Sequence, residues 1–169
     1  CRFCDTDFVK TNGVRGGRYT ADSLSDTLLQ IWVEDTTLGG VPYVVFTGGE
    51  PLLQLDTSLI QACKLKGFEV AIETNGTKIP PAGIDWVCVS PKPRSEQCLT
   101  TGDEIKLIFP QKEPEMSPER FLMQDFKHWF LQPMDGPNQL ENIQATAAYC
   151  QSHPQWRLNL QMHKLIGLP

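Results

Sequence analysis

The chain has 169 residues, fifteen Lys and Arg against twenty Asp and Glu for a net charge of −5, and 40% hydrophobic residues. That suffices for one compact domain over 1–169, and the acidic balance disfavours a phosphate-tracking surface, so a small molecule rather than a nucleic acid is the expected partner. No run approaches the roughly 18 consecutive apolar residues of a membrane span, and no charged-then-apolar leader is seen, so a cytoplasmic protein without membrane contact is expected.

The sequence opens on Cys1-Arg2-Phe3-Cys4, two soft thiolates close enough to share one metal or cluster. Taken alone, the pair leaves a zinc half-site, a redox dithiol and an iron-sulfur site open. Zinc would need a second pair, which the scattered Cys63, Cys88, Cys98 and Cys150 do not supply; those four read as small buried hydrophobes. A thioredoxin-like dithiol is weakened by Asp5-Thr6-Asp7-Phe8, which carries no helical apolar pattern behind the pair.

Further on, Thr20-Ala21-Asp22 is a helix start followed by Leu24, Leu28, Leu29 and Trp32 at helical spacing. A second helix carries Leu59, Ile60 and Cys63 and stops at Gly67, a third spans 118–127, and a fourth carries Leu140, Ile143, Ala147 and Cys150. Between them, apolar runs at 43–46, 70–72, 86–89, 105–109 and 129–131 read as strands buried on both faces. A last strand over 157–162 alternates more clearly, with Leu158, Leu160 and Met162 on one side. Strands alternating with helices call for an α/β fold of mostly parallel strands with right-handed crossovers; the pattern itself leaves a doubly wound sheet and an incomplete barrel open.

In parallel α/β folds ligands bind beyond the carboxyl ends of the strands. The residues at those exits are Thr47-Gly48-Gly49-Glu50-Pro51, Glu73-Thr74-Asn75-Gly76, Ser90-Pro91-Lys92, Gln132-Pro133-Met134-Asp135 and His163-Lys164. Turn residues are ordinary there, but a Glu, a Lys, a Gln and a His in succession point to a shared site. Two glycines permit close backbone approach, and the Glu50 carboxylate can accept from an ammonium group, so the first of these loops suits an amino acid moiety.

The set Cys-Arg-Phe-Cys-Asp-Thr-Asp-Phe, Thr-Gly-Gly-Glu-Pro, Glu-Thr-Asn-Gly-Thr, Val-Ser-Pro-Lys, Gln-Pro-Met-Asp-Gly and His-Lys-x-x-Gly-x-Pro, in order from Cys1 to Pro169, resembles the 7-carboxy-7-deazaguanine synthases. These are radical S-adenosylmethionine lyases of the queuosine pathway. The resemblance is to the branch with a widened cluster motif, which implies that the first cluster cysteine, an N-terminal strand and further substrate contacts precede Cys1. It implies a single radical S-adenosylmethionine domain, a modified partial (β/α)6-type barrel of mostly parallel strands with its site at the carboxyl ends. It also implies that Cys1 and Cys4 hold a [4Fe-4S] cluster and that Thr6 binds Mg2+. Phe3, Asp5, Gly48, Gly49, Glu50, Glu73, Ser90, Pro91, Lys92, Gln132, Pro133, Met134 and Asp135 would surround S-adenosyl-L-methionine. Thr47, His163 and Pro169 would contact the substrate, with Thr47 and His163 catalytic; a histidine suits proton transfer near neutral pH.

The implied reaction is ring contraction of a pterin, 6-carboxy-5,6,7,8-tetrahydropterin, to 7-carboxy-7-deazaguanine with loss of ammonia. A homodimer and an external one-electron donor of flavodoxin type come with the resemblance. Two rival readings are another radical S-adenosylmethionine enzyme, such as a glycyl-radical activase, and a non-enzymatic metal-binding module. The first would need no Mg2+ threonine, and the second would leave the polar strand exits unexplained. His128 and His153 read as structural.

Overall fold

A computed structural model describes residues 16–35 and 40–167. The element order is α1 (Ala21–Asp35), β1 (Tyr43–Phe46), α2 (Thr57–Leu65), β2 (Glu69–Thr74), β3 (Trp86–Val89), β4 (Thr101–Phe109), β5 (Asp125–Pro133), α3 (Gln139–Ser152), β6 (Trp156–Leu158) and α4 (Met162–Leu165). Short 3-10 turns occupy Pro51–Leu53, Pro114–Met116 and Pro118–Phe121. The six strands follow chain order in the sheet. The pairings β1–β2, β3–β4, β4–β5 and β5–β6 are all parallel, as the alternation of strands and helices requires. The described residues fall into two compact units, one holding 16–74 and 78–87 and the other 75–77 and 88–167.

In the first unit the helices start where the sequence supplies caps. The Thr20 hydroxyl accepts from the Ser23 N–H at 3.2 Å while the Ser23 hydroxyl accepts from the Thr20 N–H at 2.9 Å, a reciprocal cap that opens α1. Asp56 Oδ1 accepts from the Leu59 N–H at 2.9 Å and opens α2. The apolar stripe of α1, Leu28, Leu29 and Trp32, then packs with Leu59 against a core of Val44, Cys63, Phe68 and Val70. Leu55, Ile60 and Ile72 form a second cluster with Phe46, Leu52 and Ile84 around it. Asp85 fixes the start of β2: its carboxylate accepts from the Val70 N–H at 2.6 Å and from Lys64, and its own N–H donates to the Val70 carbonyl at 2.8 Å. Strand β1 is buried on one side only. Val44 is enclosed, whereas Tyr43 and Val45 are 44% and 46% exposed, unlike the both-face burial expected of it.

In the second unit Ile105, Leu107 and Leu131 are fully buried and Trp156 is 2% exposed, so this face of β4, β5 and β6 is the core. Helix α3 lies along β5 and β6. The Thr146 hydroxyl donates to the Asn142 carbonyl at 2.6 Å, and the Met134 N–H donates to the Phe109 carbonyl at 2.8 Å, tying the ends of β4 and β5 together.

Two expected elements are corrected. The helix expected over 118–127 is a single 3-10 turn, Pro118–Phe121, followed by β5 from Asp125. Pro118 can open a tight turn, but Phe126, Trp129 and Phe130 favour an extended pleated chain, and pairing with Gly102, Ile105 and Lys106 of β4 takes them. The strand expected over 157–162 ends at Leu158, and 162–165 form α4. Leu160 turns to line a small cleft with Pro133, Gln139, Ile143 and Leu165, where it finds apolar cover that a longer edge strand would not give it. Of the cysteines expected to be buried, Cys63 and Cys88 are, Cys150 is half-buried, and Cys98 is exposed in a loop.

The 3-10 turn at Pro118 is held to α3 by Glu119, which accepts from the Ser117 hydroxyl and, at 2.6 Å, from the Tyr149 hydroxyl. His153 stacks on the Tyr149 ring at 4.0 Å, which is the structural role expected of it. These hydrogen bonds, Ser117 first and then Tyr149, pull the Glu119 carboxyl down to about 2 from its usual 4.5. A carboxyl whose value is lowered on folding stabilises above its unfolded value and loses that contribution as pH falls through the folded one. Replacing Glu119 with Gln is therefore expected to lower the urea midpoint at neutral pH, with the gap from wild type closing between about pH 4.5 and 2. A gap that stays constant over this range would count against the contact.

Gly76 offers a second test. Its φ is +78°, and a Cβ there would stand 2.8 Å from Val89 Cγ1. Gly76→Ala is expected to lose roughly 1–3 kcal/mol of stability from backbone strain before the clash is counted, measured by equilibrium denaturation.

Candidate active site

In the first unit, β1 delivers the Thr47–Pro51 loop and β2 delivers Glu73 and Thr74, since the two strands run parallel with Phe46 beside Ile72. Gly48 has φ +109°, a conformation L side chains rarely adopt, and no atom stands within 4 Å of where its Cβ would be. The loop therefore turns sharply while leaving its backbone open to approach. Glu50 sits in extended conformation as the cap of the 3-10 turn that begins at the buried Pro51. Its Oε1 accepts from the Leu52 N–H at 3.1 Å and from the Thr74 hydroxyl at 2.7 Å. Thr74 is 2% exposed, so this is a buried anchor for the carboxylate. Thr47 Oγ1 approaches Glu73 Oε2 at 3.5 Å, at the outer limit of a hydrogen bond.

Thr47, Gly48, Gly49, Glu50 and Glu73 thus come together in this unit. The sequence reading missed Thr74 as the residue that orients Glu50. The available signal was period-2 alternation from the buried Val70 and Ile72, which puts Thr74 on the same buried side.

In the second unit, Ser90, Pro91 and Lys92 follow β3, and Ser90 and Pro91 are both buried. The Lys92 ammonium folds back on Ser90, donating to its carbonyl at 2.8 Å and its hydroxyl at 2.7 Å, while the Ser95 hydroxyl donates to the Lys92 carbonyl at 2.7 Å. The group at the end of β5 is also held. Gln132 Oε1 accepts from Asn159 Nδ2 at 3.3 Å, and the Met134 carbonyl accepts from Asn142 Nδ2 at 2.8 Å. Asp135 Oδ1 accepts from the Gly136 N–H at 2.9 Å and Gln139 Nε2 at 3.0 Å, and Oδ2 pairs with Lys164 at 2.5 Å. Asn159 and Lys164 are positioning residues that had not been singled out for those roles. His163 stands one residue into α4 with its side chain exposed, instead of at the exit of a long final strand.

Cys1, Phe3, Cys4, Asp5, Thr6 and Pro169 lie outside the described residues. Among the described residues no three His, Cys, Asp or Glu side chains gather as a metal site. Within the first unit, the anchored carboxylate of Glu50 and the open glycine backbone at Gly48 have the chemistry to receive the ammonium end of an amino acid such as S-adenosyl-L-methionine, the cofactor expected of the family.

The buried bond between Glu50 and Thr74 generates a test. Thr74→Val keeps the shape and deletes the hydroxyl, and is expected to cost about 1–2 kcal/mol of stability, while Thr74→Ser keeps most of it. Equal denaturation midpoints for Thr74→Val and wild type would mean that the Leu52 N–H suffices to hold Glu50.

Comparison with known proteins gives concordant matches. The model of the Radical SAM superfamily matches residues 1–91. A 7-carboxy-7-deazaguanine synthase of Bordetella pertussis is 54% identical over 170 residues, covering 100% of this chain and 79% of the relative. One from Caulobacter vibrioides is 51% identical over 172 residues with the same two coverages. A crystal structure of QueE from Escherichia coli superposes with a TM-score of 0.60 at 26% identity, over 81% of this chain and 63% of that one. The α/β partial barrel of parallel strands expected from the sequence is accordingly the fold this chain shares with the radical SAM enzymes. Parallel strands with polar exits, and near-complete alignment with relatives at half identity or better, place the chain in the 7-carboxy-7-deazaguanine synthase family of the radical SAM superfamily.

Proposed function

We propose that the protein catalyses the Mg2+-dependent ring contraction of 6-carboxy-5,6,7,8-tetrahydropterin to 7-carboxy-7-deazaguanine with loss of ammonia, as a step toward queuosine. The observation that supports this most is the 54% identity with the Bordetella pertussis synthase across the whole of this chain. When bound, a [4Fe-4S] cluster and S-adenosyl-L-methionine supply one-electron cleavage of a sulfonium and, from it, a radical able to take hydrogen from carbon.

The chain's own residues do the holding. Cys1 and Cys4 are the thiolates proposed for the cluster, and Thr6 the hydroxyl proposed for Mg2+, a hard cation that prefers oxygen. Phe3, Asp5, Gly48, Gly49, Glu50, Glu73, Ser90, Pro91, Lys92 and the Gln132–Asp135 segment are the proposed cofactor contacts. Within that set Glu50 accepts from the cofactor's ammonium, and its anchorage by Thr74 keeps the carboxylate from having to reorganise on binding. Thr47, His163 and Pro169 are proposed to meet the substrate, with His163 moving a proton. The reading carries with it an external one-electron donor, a homodimer and a cytoplasmic setting. No helix among the described residues is long and apolar enough to cross a membrane.

The test is turnover. Full-length protein reconstituted anaerobically, given a reductant, S-adenosyl-L-methionine, Mg2+ and the pterin acid, is expected to release 7-carboxy-7-deazaguanine and one equivalent of ammonia. A loaded cluster that cleaves S-adenosyl-L-methionine without consuming the pterin would overturn the substrate assignment. Omitting Mg2+ is expected to slow turnover at least tenfold, and a rate unmoved by chelator would remove the role given to Thr6.

A further inference from the structure

The sheet of the second unit has two faces of opposite character. Successive side chains alternate along a strand, and the parallel register decides which neighbours share a face. Glu104 lies beside Cys88 on one side and His128 on the other, Lys106 beside Phe130, Ile108 beside Gln132, and Phe130 beside Arg157. Two side-chain contacts verify the assignment of faces. Lys127 Nζ meets Asp103 Oδ1 at 2.7 Å on one, and Asn159 Nδ2 meets Gln132 Oε1 at 3.3 Å on the other.

The first face is the sealed core of Ile105, Leu107, Leu131 and Trp156. On the second, Phe126 closes the foot, and Glu104, Lys106, Ile108, His128, Phe130 and Gln132 above it are all half-buried, with Arg157 exposed at the edge. Strands inside parallel sheets are ordinarily near-continuous apolar runs, and Lys and Glu are among the side chains least often found there. A row of ionisable groups on such a face therefore needs a reason beyond packing.

The geometry of the row supplies one. Lys106, Phe130 and Arg157 are neighbours across β4, β5 and β6, so with strands about 4.8 Å apart the two cationic residues flank one aromatic ring at a Cα separation of roughly 10 Å. A flat conjugated molecule can lie on the ring and bring an anionic end to a cation beside it. Glu104 stands two residues before Lys106 on the same face. Gln132, already a proposed cofactor contact, stands one step further up the same face of β5.

We infer that Lys106 is a further ligand-binding residue of this enzyme, its ammonium taking the carboxylate of a small molecule that lies against Phe130. This rests on the reading proposed above, in which two reactants carry a carboxylate: the pterin acid and S-adenosyl-L-methionine.

The experiment separates them. Dissociation constants are measured on full-length, cluster-loaded wild type, Lys106→Met and Lys106→Arg for four ligands: the pterin acid, the same tetrahydropterin without its carboxylate, S-adenosyl-L-methionine, and its decarboxylated form. Lys106→Met is expected to reduce the preference for one carboxylated ligand over its decarboxylated counterpart about tenfold or more, the size of one lost charged hydrogen bond. Lys106→Arg is expected to keep most of that preference. A change in the pterin pair assigns the substrate's carboxylate, and a change in the other pair the cofactor's. If both members of each pair weaken equally, or neither preference moves, Lys106 is a structural residue and the inference is overturned. If Lys106→Met yields no loaded enzyme, the polar Lys106→Gln is read the same way. Wild type that holds the S-adenosyl-L-methionine preference but leaves the pterin unconsumed would sink the proposed reaction while the Lys106 test still stands on the cofactor pair.

Discussion

The parallel ladder that pairs β4 with β5, from Thr101 beside Asp125 to Phe109 beside Pro133, is the constraint on which the second unit depends. A slip of one residue would send every side chain to the opposite face, driving Glu104 and Lys106 into the core and Ile105 and Leu107 out of it. Complete burial of Ile105, Leu107 and Leu131 opposes such a slip, at roughly 1.5–3 kcal/mol for each side chain withdrawn from water. Lys127 and Asp103 add little energy, because Lys127 is largely exposed, but they match only in the observed register. The same ladder that builds the core thus decides which polar groups stand on the half-open face.

The first unit solves a related problem with hydrogen bonds. A carboxylate at the end of a strand is useful to a ligand only if its position is set beforehand, because ordering it on binding would cost side-chain entropy. Glu50 is set twice, by a backbone N–H from the turn it caps and by the hydroxyl of Thr74 from the neighbouring strand. Thr74 is in turn held by its burial beside Ile72 at the end of β2. The chain from strand pairing to buried hydroxyl to oriented carboxylate is short, and each link lies within one compact unit.

The parts of this arrangement legible in the sequence were those written in local pattern. The apolar runs located β1 to β5, and the polar exits located the loops that carry the candidate site. What failed were segments where local pattern competes with tertiary contact. Between 118 and 127 the sequence permits a helix, but the chain from Asp125 is recruited as a ladder partner of β4, and pairing outweighs a propensity worth tenths of a kcal/mol per residue. At 157–162 the alternation of Leu158, Leu160 and Met162 mimics a strand, yet Leu160 leaves the sheet to line a small cleft, where it is half-buried. Thr74 was passed over because a threonine in an apolar strand reads as a β-former, and its hydrogen bond is to a residue 24 positions away.

The polar groups beside the candidate contacts differ in how the protein is seen to hold them. Both oxygens of Asp135 are engaged, by Gly136, Gln139 and Lys164, and the Lys92 ammonium is folded onto Ser90. A group so engaged acts mainly by shaping the backbone around it, because releasing it to a ligand forfeits bonds already made. Asp135 accordingly sets the turn that leads into α3 and draws Lys164 of α4 toward it, so its removal should disturb geometry more than charge. Glu50 is different: the Leu52 N–H and the Thr74 hydroxyl both reach Oε1, an arrangement that fixes the carboxylate's direction. Lys106 differs again, standing on a half-buried sheet face in register with an aromatic ring. Asp135 is thus engaged within the second unit, Glu50 holds a fixed direction within the first, and the position of Lys106 follows directly from strand register.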